Sequence, residues 1–214
     1  MLEVPSLWLF QVRLRVAPVG AKPPPGTYTK GMVRTRRFTR REYHRLGEAG
    51  ILGEDERVEL LEGNLVEMSP IGSRHAACVK KINALFHRTL EGRALVGVQD
   101  PIRLSEDSEP QPDLVLLRPR ADFYAEDHPG PEDVLLLVEV AEASLAYDRE
   151  VKLPLYAQAG IPEVWLVHLA ENQVEVHRGP REGRYGETQT LVPSQSLSPL
   201  AFPEVRFKVE DLLP

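Results

Sequence analysis

Val134-Leu135-Leu136-Leu137-Val138-Glu139-Val140 is a run of seven residues in which one carboxylate interrupts an otherwise unbroken apolar series. So short a run fits a strand better than a helix. Its lack of alternation implies burial on both faces, as in the centre of a sheet covered by helices. Two further strands are expected beside it. One is Asp113 to Leu117, an acid followed by Leu-Val-Leu-Leu and preceded by Pro112; the other is Glu163 to Leu169, with Gln173 to His177 returning as its hairpin partner. A fourth is expected from Ala94 to Leu104. The strands 94–104, 113–117, 134–140 and 163–169 are predicted to form the centre of a mixed sheet.

Upstream, Thr39-Arg40-Arg41-Glu42 has the spacing of a capping box and opens a helix that ends near Gly50. Val58-Glu59-Leu60-Leu61 and Leu65-Val66-Glu67-Met68 flank Glu62-Gly63-Asn64, a hairpin signal, because glycine and asparagine tolerate positive φ. Residues 73–91 place Val79, Ile82, Leu85, Phe86 and Leu90 on one helical stripe, with Gly92 at the stop. A second amphipathic helix is expected over 147–159. Pro154 lies within it and should make the regular helix start or kink near Lys152. The two helices should cover the two faces of the sheet or flank one.

Length and composition bound the rest. The chain has 214 residues, 42% of them hydrophobic, enough for one good core, and its formal charge is -6. That charge does not describe a surface that attracts nucleic acid everywhere. Arg34, Arg36, Arg37, Arg40, Arg41 and Arg45 nevertheless fall within twelve positions. Two readings stand for them, a solvated helix face or a phosphate-binding patch. The single Cys78 has no partner for an internal disulfide, which points to a reducing, cytoplasmic setting. No window reaches the ~18 apolar residues of a membrane span. Residues 1–31 stand apart as an N-terminal extension to a domain of residues 32–214: an apolar opening at Leu7-Trp8-Leu9-Phe10, an alternating stretch over 8–16 that could add an edge strand, then a tether with Pro23-Pro24-Pro25. Glu3 near the start and the late Arg13 and Arg15 argue against a signal peptide. The apolar opening has no clear place in a core that begins near residue 38, so a homo-oligomer is expected.

Chemistry concentrates on the carboxylates at the ends of apolar strands. A carboxylate among apolar neighbours is costly without compensation, so Asp113 and Glu139 invite a cation. Two acids on adjacent strands can hold a hard, oxygen-seeking ion such as Mg²⁺. The alternative is that Asp113 caps a turn while Glu139 pairs with Lys152 or an arginine. Lys152 follows Glu139 by thirteen residues on a helix that folds back across the strand end, with Asp148 and Tyr156 one turn away on either side. It could equally form an ordinary i,i+4 ion pair with Asp148.

These residues resemble the PD-(D/E)XK nuclease superfamily, and more closely the bacterial Uma family within it. The matching pieces are Phe38-Thr39, Val58 to Val66, His75, Pro112-Asp113, Val138-Glu139-Val140, Asp148, Lys152, Tyr156, Ala159-Gly160 and Glu163 to Val167, and the likeness runs from about residue 36 to the C-terminus. In the superfamily pattern a lysine stands two residues after the second acid. Here that position is Ala141, and the lysine is taken to have moved to Lys152.

The resemblance implies a restriction-endonuclease-like α/β fold, a mixed β-sheet flanked by helices. It implies an Mg²⁺- or Mn²⁺-dependent nuclease hydrolysing DNA phosphodiesters, with RNA left open. Asp113, Glu139 and the Val140 carbonyl would hold the metal, Lys152 would act on the attacking water or the phosphate, and Glu59 would supply an additional acid. His75, taken alone, is expected to be a hydrogen-bonded structural histidine. The rival reading is a catalytically weak or inactive nucleic-acid-binding or regulatory module on the same fold.

Overall fold

The computed structural model describes residues 35–53 and 55–214. The extension 1–31, its edge strand, its tether and the oligomer contact expected of it lie outside the described residues.

A six-stranded sheet organises the chain, with β3 (Leu95–Gly97), β4 (Leu114–Leu117), β5 (Val134–Ala141), β6 (Glu163–His168), β7 (Gln173–Arg181) and β8 (Arg184–Leu191) side by side in that order. The β5–β6 pair is parallel and the others antiparallel, so the sheet is mixed. β5 sits between β4 and β6, as its apolar run requires.

Alternation along the strands separates two cores. Leu114 and Leu116 of β4 and Leu136, Val138 and Val140 of β5 pack with α2 (Ser73–Leu90), whose Cys78, Val79, Ile82, Leu85, Phe86 and Leu90 are buried. Val115, Leu117, Leu137 and Ala141 face the other way, against Leu153 and Tyr156 of α4 (Leu153–Gln158). The two helices therefore cover opposite faces. Because side chains alternate with period two, Asp113 and Glu139 share the α4 face. The Leu114–Val138 pairing brings them to the same end of two neighbouring strands.

Before the sheet come α1 (Arg40–Glu48) and a small hairpin of β1 (Val58–Leu61) and β2 (Asn64–Glu67). Thr39 and Glu42 form the capping box in both directions. The hairpin turn is the pair Glu62-Gly63, both at positive φ, so β2 begins at Asn64, one residue earlier than expected. After β8 the chain ends in β9 (Ser196–Leu197), β10 (Phe207–Lys208) and α5 (Val209–Leu212), which close the α2 side of the core.

One expectation needs correction. The strand over 94–104 is only Leu95–Gly97, and it is the sheet edge rather than a central member. Gln99 lies at φ +57° and Pro101 has no amide to donate, so the ladder stops. The chain then turns to pair locally, through Ile102 N–H to the Pro110 carbonyl and Leu104 N–H to the Ser108 carbonyl. In the segment 147–159 the regular helix begins next to Lys152, as Pro154 led one to expect. α3 (Leu145–Tyr147) passes through a π-helical turn at Asp148–Lys152 into α4, with Pro154 in the first turn of α4. A proline there clashes with the carbonyl four residues back, and the wider π turn absorbs the conflict.

Candidate active site

A cavity of about 600 Å³ opens at the end of the sheet and is lined, among others, by Glu59, His75, Asp113, Glu139, Asp148 and Lys152. The structure thus brings together the five residues that the sequence reading singled out by charge, Glu59, Asp113, Glu139, Asp148 and Lys152, although they come from β1, the start of β4, β5 and the π turn. All five are buried.

Lys152 is the hub. Its Nζ lies 3.2 Å from Glu59 Oε2 and 3.3 Å from Glu139 Oε1. The i,i+4 pair with Asp148 does not form; Asp148 accepts from Ser144 Oγ at 2.6 Å instead. The π turn alters the stacking that would align the two. Tyr156 Oη donates to Glu139 Oε1 at 2.6 Å. Glu59 Oε2 also accepts from the Gln111 backbone amide at 3.2 Å.

Asp113 is held from three sides. Its Oδ2 accepts from the Val140 backbone amide at 2.9 Å and lies 2.9 Å from His75 Nε2, while Oδ1 accepts from Gln99 Nε2 at 3.2 Å. His75 Nδ1 is buried without a hydrogen-bond partner. The second oxygen of Glu139, Oε2, meets only the Asp113 backbone amide, at 3.4 Å.

The electrostatics follow from four carboxylates that share one ammonium and the His75 imidazole. Burial drives the Glu139 carboxyl up to about 8, with Lys152 opposing and Asp113 and Asp148 adding to the rise. Burial works against the charge on Lys152, but Glu139 and Glu59 outweigh it and hold the ammonium above the ordinary lysine range. Lys152 keeps its proton, and Glu139 is the acid that takes one up. Burial would also raise Asp113, yet its bond to His75 leads the effects that leave it below the usual carboxylate value. His75 is raised in turn, chiefly by the bond to Asp113.

A pH dependence of stability follows for the metal-free protein. His75 has a raised folded pKa, so its contribution is complete below its unfolded value near 6.5 and is lost as pH rises through the folded value. Glu139 binds a proton in the folded state up to about 8, so it acts in the same direction from about pH 4.5 to 8. His177, lowered by burial, works oppositely below about 6.5. The urea midpoint in chelator is expected to fall between pH 6.5 and 8.5, and Glu139→Gln should flatten that slope. An identical slope in the variant would refute the assignment to Glu139.

His75 is hydrogen-bonded, as expected, but its position near the start of α2 gave no sign that its partner is Asp113. Sequence reasoning missed Gln99, which reaches Asp113 only because the backbone turns left-handed there. A mid-strand proline two residues on, Pro101, is the one signal that could have warned of that turn.

A mixed sheet covered by helices, with buried acids and a lysine gathered at one end, places the chain in a nuclease-like α/β fold class. A family model described as "Putative restriction endonuclease" (Uma2) matches residues 40–210, and the chain belongs to that family. Among solved structures, it is similar to "a putative nuclease belonging to DUF820 from Anabaena variabilis ATCC 29413", at 18% identity and a TM-score of 0.63, over 78% of this chain and 96% of that one. At that identity the likeness bears on the fold alone. No curated protein matches the chain. No helix among the described residues is long and apolar enough to cross a membrane.

Proposed function

We propose that residues 32–214 form a metal-dependent nuclease that hydrolyses DNA phosphodiester bonds, with Mg²⁺ or Mn²⁺ held by Asp113, Glu139 and the Val140 carbonyl. The observation that carries this reading is the charge imbalance: four buried carboxylates, Glu59, Asp113, Glu139 and Asp148, gather at a cavity open to solvent, with Lys152 between Glu59 and Glu139 and His75 on Asp113. Lys152 and His75 supply at most two positive charges to these four acids, and unpaired buried charge is costly. The donor set fits a hard cation, since all three candidate ligands offer oxygen, two of them carboxylates, and Glu139 Oε2 has only a long contact to an amide. When bound, such an ion makes a water more acidic and offsets charge on the scissile phosphate.

The protein's own groups divide the remaining work. His75, Gln99 and the Val140 amide fix the Asp113 carboxylate, while Tyr156 fixes Glu139. Lys152, whose proton Glu139 and Glu59 hold in place, donates hydrogen bonds to the attacking water or the crowded phosphate rather than serving as a base. Glu59 positions Lys152. The oxygen-rich cavity and the family's description support phosphodiester hydrolysis, and RNA is a second substrate to assay.

The test is cleavage of supercoiled and linear DNA. Nicking or linearisation is expected with Mg²⁺ or Mn²⁺, to be lost in chelator and in Asp113→Asn. Retention of DNA in chelator with no cleavage under any divalent ion would instead identify a binding module.

A further inference from the structure

We propose a second metal site, of zinc type, built from His44, Glu109 and His128 and separate from the acid–lysine cavity. Their ligand atoms lie within 4.8 Å of one another. The three come from distant parts of the chain: α1, the loop before β4 and the loop before β5. Two imidazoles and one carboxylate are a donor set suited to Zn²⁺ rather than to Mg²⁺, leaving a fourth position for water.

Glu109 makes the case stronger than proximity alone. Its side chain is only 1% exposed, and its backbone is pinned to Leu60 of β1 through the Glu109 N–H bond to the Leu60 carbonyl at 2.7 Å. His44 Nε2 lies 2.9 Å from Oε1 and 3.2 Å from Oε2, but only Oε2 takes part in a hydrogen bond. Oε1 is a buried carboxylate oxygen with no hydrogen-bond partner. Such an atom is costly unless something cationic completes it. The rings of His44 and His128 lie nearly parallel, 19° apart, with centroids 6.0 Å apart. Zn–N distances of about 2.0–2.1 Å require the donors to close in by roughly 1 Å. His44, 45% exposed, and the half-buried His128 have room to do so.

Arg40 is the competing cation, with Nη1 3.5 Å from Glu109 Oε2. Its contact is long, its Nε is itself buried without a partner, and it leaves Oε1 untouched.

The role this assigns to zinc is to tie α1 down. That helix has no buried residue, and polar contacts such as Tyr43 Oη to the Val58 carbonyl at 2.7 Å attach it to the body. An ion on His44, Glu109 and His128 would join it to the loops that lead into β4 and β5.

The experiment uses the full chain and Zn²⁺ alone, with binding read by calorimetry and ligation by X-ray absorption at the zinc edge. The wild type should bind one equivalent more than His44→Ala or His128→Ala, and its imidazole scattering should fall in each variant. Affinity at that site should drop at least 10–100-fold, the range already seen for groups that merely support a ligand. Arg40→Gln should bind Zn²⁺ more tightly, since the competing guanidinium is gone. Zinc should also slow amide exchange in α1 of the wild type and not of His128→Ala, with circular dichroism confirming that the variant is folded. Zinc held at Asp113 and Glu139 would be unaffected by His128→Ala, so the two sites are told apart. No zinc uptake, or equal stoichiometry and imidazole scattering in wild type and both histidine variants, overturns the proposal.

Discussion

Lys152→Met is expected to reduce DNA cleavage by on the order of 10²–10³-fold, the usual cost of removing a donor aimed at transition-state charge, and to lower the stability of the metal-free protein as well. The second effect follows from burial. Lys152 is 6% exposed and stands between Glu59 and Glu139. Methionine fills the space but leaves both carboxylates without their cation. Breaking a buried pair from one side costs about 3–5 kcal/mol, or roughly 10 °C in melting temperature for a domain of this size. Glu139 softens the loss by taking up a proton, which its pKa near 8 already favours. Millimolar Mg²⁺ should restore much of the melting temperature, because the ion replaces the missing positive charge, while cleavage stays lost. A variant as stable as the wild type in chelator would mean that the ammonium is not the counter-ion of Glu139. A variant that still cuts would remove Lys152 from the mechanism.

The structure also explains why this residue was hard to judge from sequence. Spacing offered an exposed i,i+4 pair with Asp148, which would make the lysine nearly neutral for stability. The π turn gives Asp148 to Ser144 instead and turns Lys152 into the cavity. Pro154 signalled that the helix would be irregular near Lys152, but a pattern of residue types does not specify which irregular turn results. The strands were far more legible. β5 declared itself by a continuous apolar run, and its period-two alternation carried Glu139 to the same face as Asp113. The capping box at Thr39 and the Glu62-Gly63 turn were local signals that tertiary contacts had no reason to override. The hairpin of β7 and β8 was only half visible, because β8 is mostly exposed and polar, Arg-Tyr-Gly-Glu-Thr-Gln-Thr, and lacks an apolar pattern. Residues that act through an uncommon backbone conformation, as Gln99 does, leave almost no trace in composition or period.

Glu139→Gln should separate activity from stability in the opposite way. Burial drives the Glu139 carboxyl up to about 8, which favours the protonated acid in the metal-free protein at neutral pH, and glutamine copies the shape of that acid. Its side-chain oxygen can still accept from Tyr156 Oη and Lys152 Nζ, which now meet at Oε1. Lys152 keeps Glu59 as a charged partner at 3.2 Å, so no cation is stranded. The melting temperature in chelator at pH 7 is therefore expected to stay within the shift of about 1 kcal/mol, and at pH 8.5 the variant should exceed the wild type, which must then begin to lose its proton. Cleavage should nevertheless fall about 10³-fold, since a neutral amide is a poor ligand for a hard cation and about 4 kcal/mol of charge stabilisation is lost with it. The stabilisation that Mg²⁺ confers on the wild type should shrink in parallel. If Glu139→Gln cleaves normally, Glu139 is a structural acid buried beside Tyr156 and Lys152. If it unfolds in chelator at pH 7, Glu139 must be ionised there, and the ion pair with Lys152 rather than a shared proton holds the end of the sheet together.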